Sequence, residues 1–135
     1  MIGGCHCGAV GIAVPALPDH LNQCNCSACF TFGTLWGYYS AAEVTITGAV
    51  RAYRRADRQP PLLDLNFCGT CGARTHWSPT EHFDSDRIGV NMRLFDPAAL
   101  AGLPVRYGDR RHHSHTEPRR TYREPTVFDG AGVAP

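Results

Sequence analysis

Seven cysteines fall in three short groups: Cys5-His6-Cys7-Gly8, Cys24-Asn25-Cys26-Ser27-Ala28-Cys29 and Cys68-Gly69-Thr70-Cys71-Gly72. Thiolates are soft donors, and an all-sulfur set selects zinc or an iron–sulfur centre. A C-x-x-C-G turn is a zinc knuckle, in which one tight loop presents two thiolates and glycine lets the backbone curl toward the sulfurs. The groups divide most simply as four plus three. Two doublets supply the four thiolates of a closed, structural zinc site. The triplet supplies three from one short segment and leaves a coordination position open, the signature of a site that binds something exchangeable. The spacing also allows a doublet to complete the triplet's shell. A fourth ligand from His6, His20, His76 or His82 would make the triplet a second structural site, and an empty, redox-active thiol cluster is a further alternative.

Other residues have the right chemistry to surround such a site. Trp36, Tyr38 and Tyr39 could wall a pocket, although aromatics in alternating strands are more often core. Arg51, Arg54, Arg55 and Arg58 could hold carboxylates or form a solvated strand face. His76 follows the last knuckle and could serve as an acid–base group. The His112-His113-Ser114-His115 run has ligand chemistry but sits in an arginine-rich, loop-like setting that reads as exposed.

The elements that must position these groups are mainly strands. Period-two alternation marks 10–14, 34–40, 44–46, 50–55, 63–67, 75–77 and 88–92, with a further strand at 21–26 leading into the triplet. In the 34–40 run, Trp36 and Tyr38 share one face, and Leu35 and Tyr39 the other. Helical signals are few: a capping box at Ser40-Ala41-Ala42-Glu43 worth about one turn, and Asp96-Pro97-Ala98-Ala99-Leu100 with an N-cap and proline at its first position. The expected fold is mainly β, with one or two short helices at most. One domain is expected over 1–125, followed by a loose tail at 126–135.

Length and composition agree. A chain of 135 residues suits one domain, and strands this short need metal staples. The net charge of +1 disfavours nucleic acid as the default partner, and no apolar run is long enough to span a membrane. An odd number of cysteines cannot be consumed by disulfides within one chain. The first residues show no cationic stretch followed by an apolar run, so a reducing, cytoplasmic location is expected.

Taken together, Gly3-Gly4-Cys5-His6-Cys7-Gly8, the C-x-C-x-x-C triplet and Phe67-Cys68-Gly69-Thr70-Cys71-Gly72 resemble the glutathione-dependent formaldehyde-activating enzyme family, which includes centromere protein V. The resemblance runs over roughly 3–100. It implies a zinc-containing β-tent of small antiparallel sheets and two zinc ions. Cys5, Cys7, Cys68 and Cys71 would hold a structural ion, and Cys24, Cys26 and Cys29 a second, catalytic-type ion. It further implies carbon–sulfur lyase chemistry joining a small thiol, glutathione in the family, to formaldehyde. The chain departs from the family in having Phe30 where a basic residue often follows the triplet, and in being short.

Two other readings compete with the enzyme. A non-catalytic zinc module binding protein or nucleic acid draws support from Arg110, Arg111, Arg119, Arg120 and Arg123, diluted by Asp109, Glu117 and Glu124. A methionine-sulfoxide-reductase-like enzyme would need a free nucleophilic cysteine, and all seven are already assigned to metal.

Overall fold

A computed structural model describes residues 1–114 and 116–131. It is mainly β, in two sheets. β1 (Ile2–Gly4), β2 (Gly11–Ala13) and β5 (Thr45–Thr47) form an antiparallel three-stranded sheet in the order β1-β2-β5. The larger sheet contains β3 (Leu21–Asn22), β4 (Trp36–Ser40), β6 (Val50–Arg54), β7 (Leu63–Cys68), β8 (Arg74–Pro79), β9 (Arg87–Asn91), β10 (Pro104–Arg106) and β11 (Thr126–Val127). Its order is β11-β10-β3-β4-β9-β8-β7-β6, antiparallel except where β10 runs parallel to β3. One α-helix, α1 (Ser27–Phe32), and three 3₁₀ turns, Ala41–Glu43, Met92–Leu94 and Pro97–Leu100, complete the elements. Among the described residues no helix is long and apolar enough to cross a membrane.

Alternation along the strands gives the large sheet two different faces. On one, Tyr39, Ile88 and Val90 join Ile12, Leu35, Met92, Val105 and Tyr107 in the main core. On the other, Trp36, Leu63, Leu65 and Trp77 pack with Cys24, Cys26 and Cys29. Tyr39 is therefore a core residue, its hydroxyl donating to the Ala16 carbonyl at 2.9 Å, whereas Trp36 and Tyr38 face the triplet.

Two expectations are corrected. The segment leading into the triplet is not a strand throughout: pairing stops at Asn22, and α1 follows. The helix is capped by the Cys26 sulfur, which accepts from the Cys29 backbone N–H, and it ends on left-handed Gly33. The supposed tail also begins too early at 126. Thr126 and Val127 pair with β10, and Phe128 is 3% exposed in the main core, because the apolar side chains at this point find a partner strand. Residues 132–135 lie outside the described residues.

Gly89 stands opposite both Tyr38 and Trp77 in the sheet register. A Cβ at Gly89 would run into the Trp77 indole, so the ring lies over bare backbone. Gly89→Ala is expected to cost about 1–3 kcal/mol by overpacking, read as a lowered midpoint in chemical denaturation with an unchanged slope.

Candidate metal centres and their cleft

The two doublets sit on matching turns. Cys5 N–H donates to the Val10 carbonyl and Gly8 N–H to the Cys5 carbonyl. Cys68 N–H likewise donates to the Ala73 carbonyl, and Gly72 N–H to the Cys68 carbonyl. Both turns close on a glycine of positive φ, Gly8 at 81° and Gly72 at 78°. The turns bring the sulfurs of Cys5, Cys7, Cys68 and Cys71 within 4.8 Å of one another. Cys5 and Cys7 sulfurs are 3.6 Å apart, and those of Cys7 and Cys68 are 3.7 Å apart. A tetrahedral ion with metal–sulfur bonds near 2.3 Å has sulfur edges of about 3.8 Å, so this donor set fits zinc. Backbone N–H groups of Val10 and Thr70 point at the Cys5 and Cys68 sulfurs from 3.2 and 3.4 Å. N–H donors from Cys71 and Thr70 hold the Cys68 thiol down at about 6, below the ordinary thiol range.

The triplet forms a separate group. Cys24, Cys26 and Cys29 are buried, with their sulfurs within 4.8 Å of one another. Among the described residues no histidine or carboxylate joins them at that distance, so His6, His20, His76 and His82 do not complete the set. All seven cysteines are free thiols. The triad's surroundings favour negative charge on sulfur. Trp36 Nε1–H donates to Cys29 at 3.2 Å, and the Arg55 guanidinium to Cys26 at 3.5 Å. Hydrogen bonds from the Cys24 and Cys29 thiols, with the Cys29 backbone N–H and Arg55, hold Cys26 far below the ordinary thiol range. Hydrogen bonding to Cys26 and Cys29, together with burial, drives Cys24 far above it. Three sulfurs with comfortable room for one negative charge make a donor set that a divalent cation completes.

Arg55 is 7% exposed and is held by a bidentate ion pair to Asp57 at 2.7 and 2.9 Å, with a further hydrogen bond to Ser27 Oγ at 3.0 Å. It alone of the four arginines of the 51–58 stretch reaches the triad's cleft. Arg54 pairs with Asp64 and Glu81 at the surface, and Arg58 donates to the carbonyls of Arg110 and His113.

The triad lies in a cleft of about 640 Å³, walled by Trp36, Tyr38, Leu63, Leu65, Trp77 and Phe83. The Tyr38 hydroxyl accepts from Asn22 Nδ2 at 2.5 Å, and burial keeps it above the usual phenol range, so it stays a protonated donor at neutral pH. His20 lines the cleft with its pKa lowered by burial and by Arg106. His76 does not line it: the ring is 7% exposed on β8, with Nδ1 3.0 Å from Thr75 Oγ1.

The rest of the wall is basic and was not read from the sequence. Arg87, Arg106, Arg110, Arg119 and Arg120 line the cleft beside Arg55, with Asp86 the carboxylate among them. Three of the five arginines that favoured a nucleic-acid module, Arg110, Arg119 and Arg120, thus line the triad's cleft. Only the absence of lysine, all thirteen basic residues being arginine, hinted at demand for planar, bidentate donors. Of the histidine run, His113 faces Asp109 and Glu117 at 4.0 and 3.7 Å; His115 lies outside the described residues. Phe30 is 74% exposed, and Arg111 sits 5.8 Å over its ring.

The family model of the glutathione-dependent formaldehyde-activating enzyme matches residues 1–106. Among solved structures, a Rhodobacter sphaeroides protein is similar at a TM-score of 0.59 and 30% identity, over 71% of this chain and 88% of that one. No curated protein matches.

Burial lowers His76 to about 4 from 6.5, so its imidazole is neutral at pH 7. Between those two values the unfolded chain binds a proton that the folded chain refuses. His76 therefore contributes full stability above about pH 6.5 and progressively less toward pH 4. Side-chain NMR is expected to show no His76 protonation down to about pH 5.

Proposed function

This chain belongs to the glutathione-dependent formaldehyde-activating enzyme family, and from that membership together with the geometry of the triad we propose that it is a zinc-dependent carbon–sulfur lyase. It adds a small, glutathione-type thiol to an aldehyde such as formaldehyde, or releases the two. The observation that carries this reading is the three-sulfur set of Cys24, Cys26 and Cys29, unclosed by any described histidine or carboxylate, in a cleft of about 640 Å³. Cys5, Cys7, Cys68 and Cys71 hold a second, structural zinc. When bound at the triad, zinc supplies an open position for a substrate thiol and keeps that thiol deprotonated at neutral pH.

The chain's own groups do the rest. Trp36 and Arg55 orient the triad sulfurs and spread their charge through hydrogen bonds. Neutral His20, which lines the same cleft, takes the thiol proton as the substrate enters. The sulfur then bonds to the carbonyl carbon while the C=O π pair moves to oxygen. The Tyr38 O–H, its position fixed by Asn22, donates to that oxygen as charge develops. The proton that His20 took from the thiol is returned to that oxygen, so both residues end as they began and the addition needs no oxidant or reductant. The reverse sequence breaks the same C–S bond.

Loss of free formaldehyde from solution is expected to depend on added thiol. Cys26→Ala is expected to abolish that loss and lower zinc from two equivalents to about one while leaving the circular dichroism and cooperative melt of a folded chain. Cys68→Ala removes a ligand of an ion worth on the order of 10 kcal/mol and is expected to unfold the chain. Equal unfolding by the two variants would make the triad structural and defeat the proposal.

A further inference from the structure

The arginines of the cleft do not all have partners. Arg55 is committed to Asp57, Ser27 and Cys26, and the Arg110 side chain to the carbonyls of Ser114 and Glu117. Arg87, Arg106, Arg119 and Arg120 have exposed side chains, and among the described residues none has a carboxylate within 4.0 Å. Four guanidiniums beside one carboxylate, Asp86, leave the cleft with a strong excess of positive charge.

Two of the four, Arg119 and Arg120, come from beyond residue 106, where the family match ends. That stretch is a built part of the site. Asp109 N–H donates to the Arg120 carbonyl, and Tyr122 N–H to the Tyr107 carbonyl, so the loop folds back on itself. It is then tied to the triplet. Asn25, between two of the triad cysteines, accepts at Oδ1 from the backbone N–H of Arg110 and Arg111 at 2.8 and 3.0 Å, and donates from Nδ2 to Asp109 at 2.9 Å. Asn22 accepts from Gly108 N–H at 3.1 Å.

We infer that Arg119 and Arg120, with Arg106 and Arg87, form an anion clamp that selects a thiol substrate carrying at least two anionic groups and sets its sulfur over the triad. A guanidinium presents a planar fork matched to carboxylate or phosphate oxygens. A wall of unpaired forks is destabilised by self-repulsion until such a ligand arrives. These residues determine specificity rather than chemistry, and the thiol in the inference rests on the lyase reading above.

The test is a thiol series on the zinc-loaded enzyme: glutathione with its two carboxylates, glutathione diethyl ester, and neutral 2-mercaptoethanol. R119Q/R120Q is compared with wild type and with R93Q, whose arginine lies outside the cleft. The double variant is expected to raise KM for glutathione by at least about tenfold, the loss of one or two charge-assisted hydrogen bonds. Its kcat and its KM for 2-mercaptoethanol are expected to stay within about twofold of wild type, and the diethyl ester to bind both proteins equally. Equal weakening of all thiols, or no change with glutathione, overturns the inference. Calorimetry with S-methylglutathione, which keeps both carboxylates and has no free thiol, separates this inference from the lyase reading. Binding that salt and R119Q/R120Q both weaken supports the clamp even if no aldehyde turns over. Absence of binding to wild type overturns it whatever the turnover.

Discussion

The constraint on which both candidate centres depend is the mutual repulsion of crowded sulfurs. Cys7 and Cys68 stand 61 residues apart in the chain and 3.7 Å apart in space. Thiols brought this close resist ionising together unless a cation neutralises them. The four-sulfur group also lies where the sheets meet, since one turn follows β1 of the small sheet and the other joins β7 to β8 of the large one. An ion held there would close a long loop and tie the two sheets through side chains, a useful device for strands of two to six residues. The main core, by contrast, is ordinary hydrophobic packing.

The triad obeys the same constraint differently. Its sulfurs come from one short segment, so holding them ties nothing distant together. What surrounds them is polar and specific: an indole N–H, a buried guanidinium and the helix-capping geometry of Cys26. The large sheet makes this division possible. One face of β4 and β9 sends Tyr39, Ile88 and Val90 into the core, and the other turns Trp36, Tyr38 and Arg87 toward the cleft. A single twofold alternation thus separates the residues that hold the fold from those that face a ligand.

The cysteine spacing carries most of what a reader of the sequence needs, because knuckle turns are local and glycine marks where they close. Alternation in 34–40 likewise assigns Trp36 and Tyr38 to one face before any coordinates. What stays hidden is what depends on neighbours. α1 has six residues, aromatic side chains and a cysteine as its cap, so no ordinary start signal announces it. β1, β10 and β11 are two or three residues long, and the first two contain glycine or proline; their strand conformation comes from pairing, not propensity. The basic wall draws guanidiniums from 87, 106, 119 and 120, separations that no local pattern encodes.

Asn25 lies between two sulfur donors and carries the docking of the loop that begins at Gly108. Its three side-chain hydrogen bonds are to the main chain or to Asp109, and none depends on the identity of the side chains farther along. Sequence drift beyond that mooring is therefore mechanically quiet at the donors. Over evolutionary time a lineage can retarget the rim by substitution while inheriting an unaltered floor, which makes this hinge of sequence a natural seam for diversification.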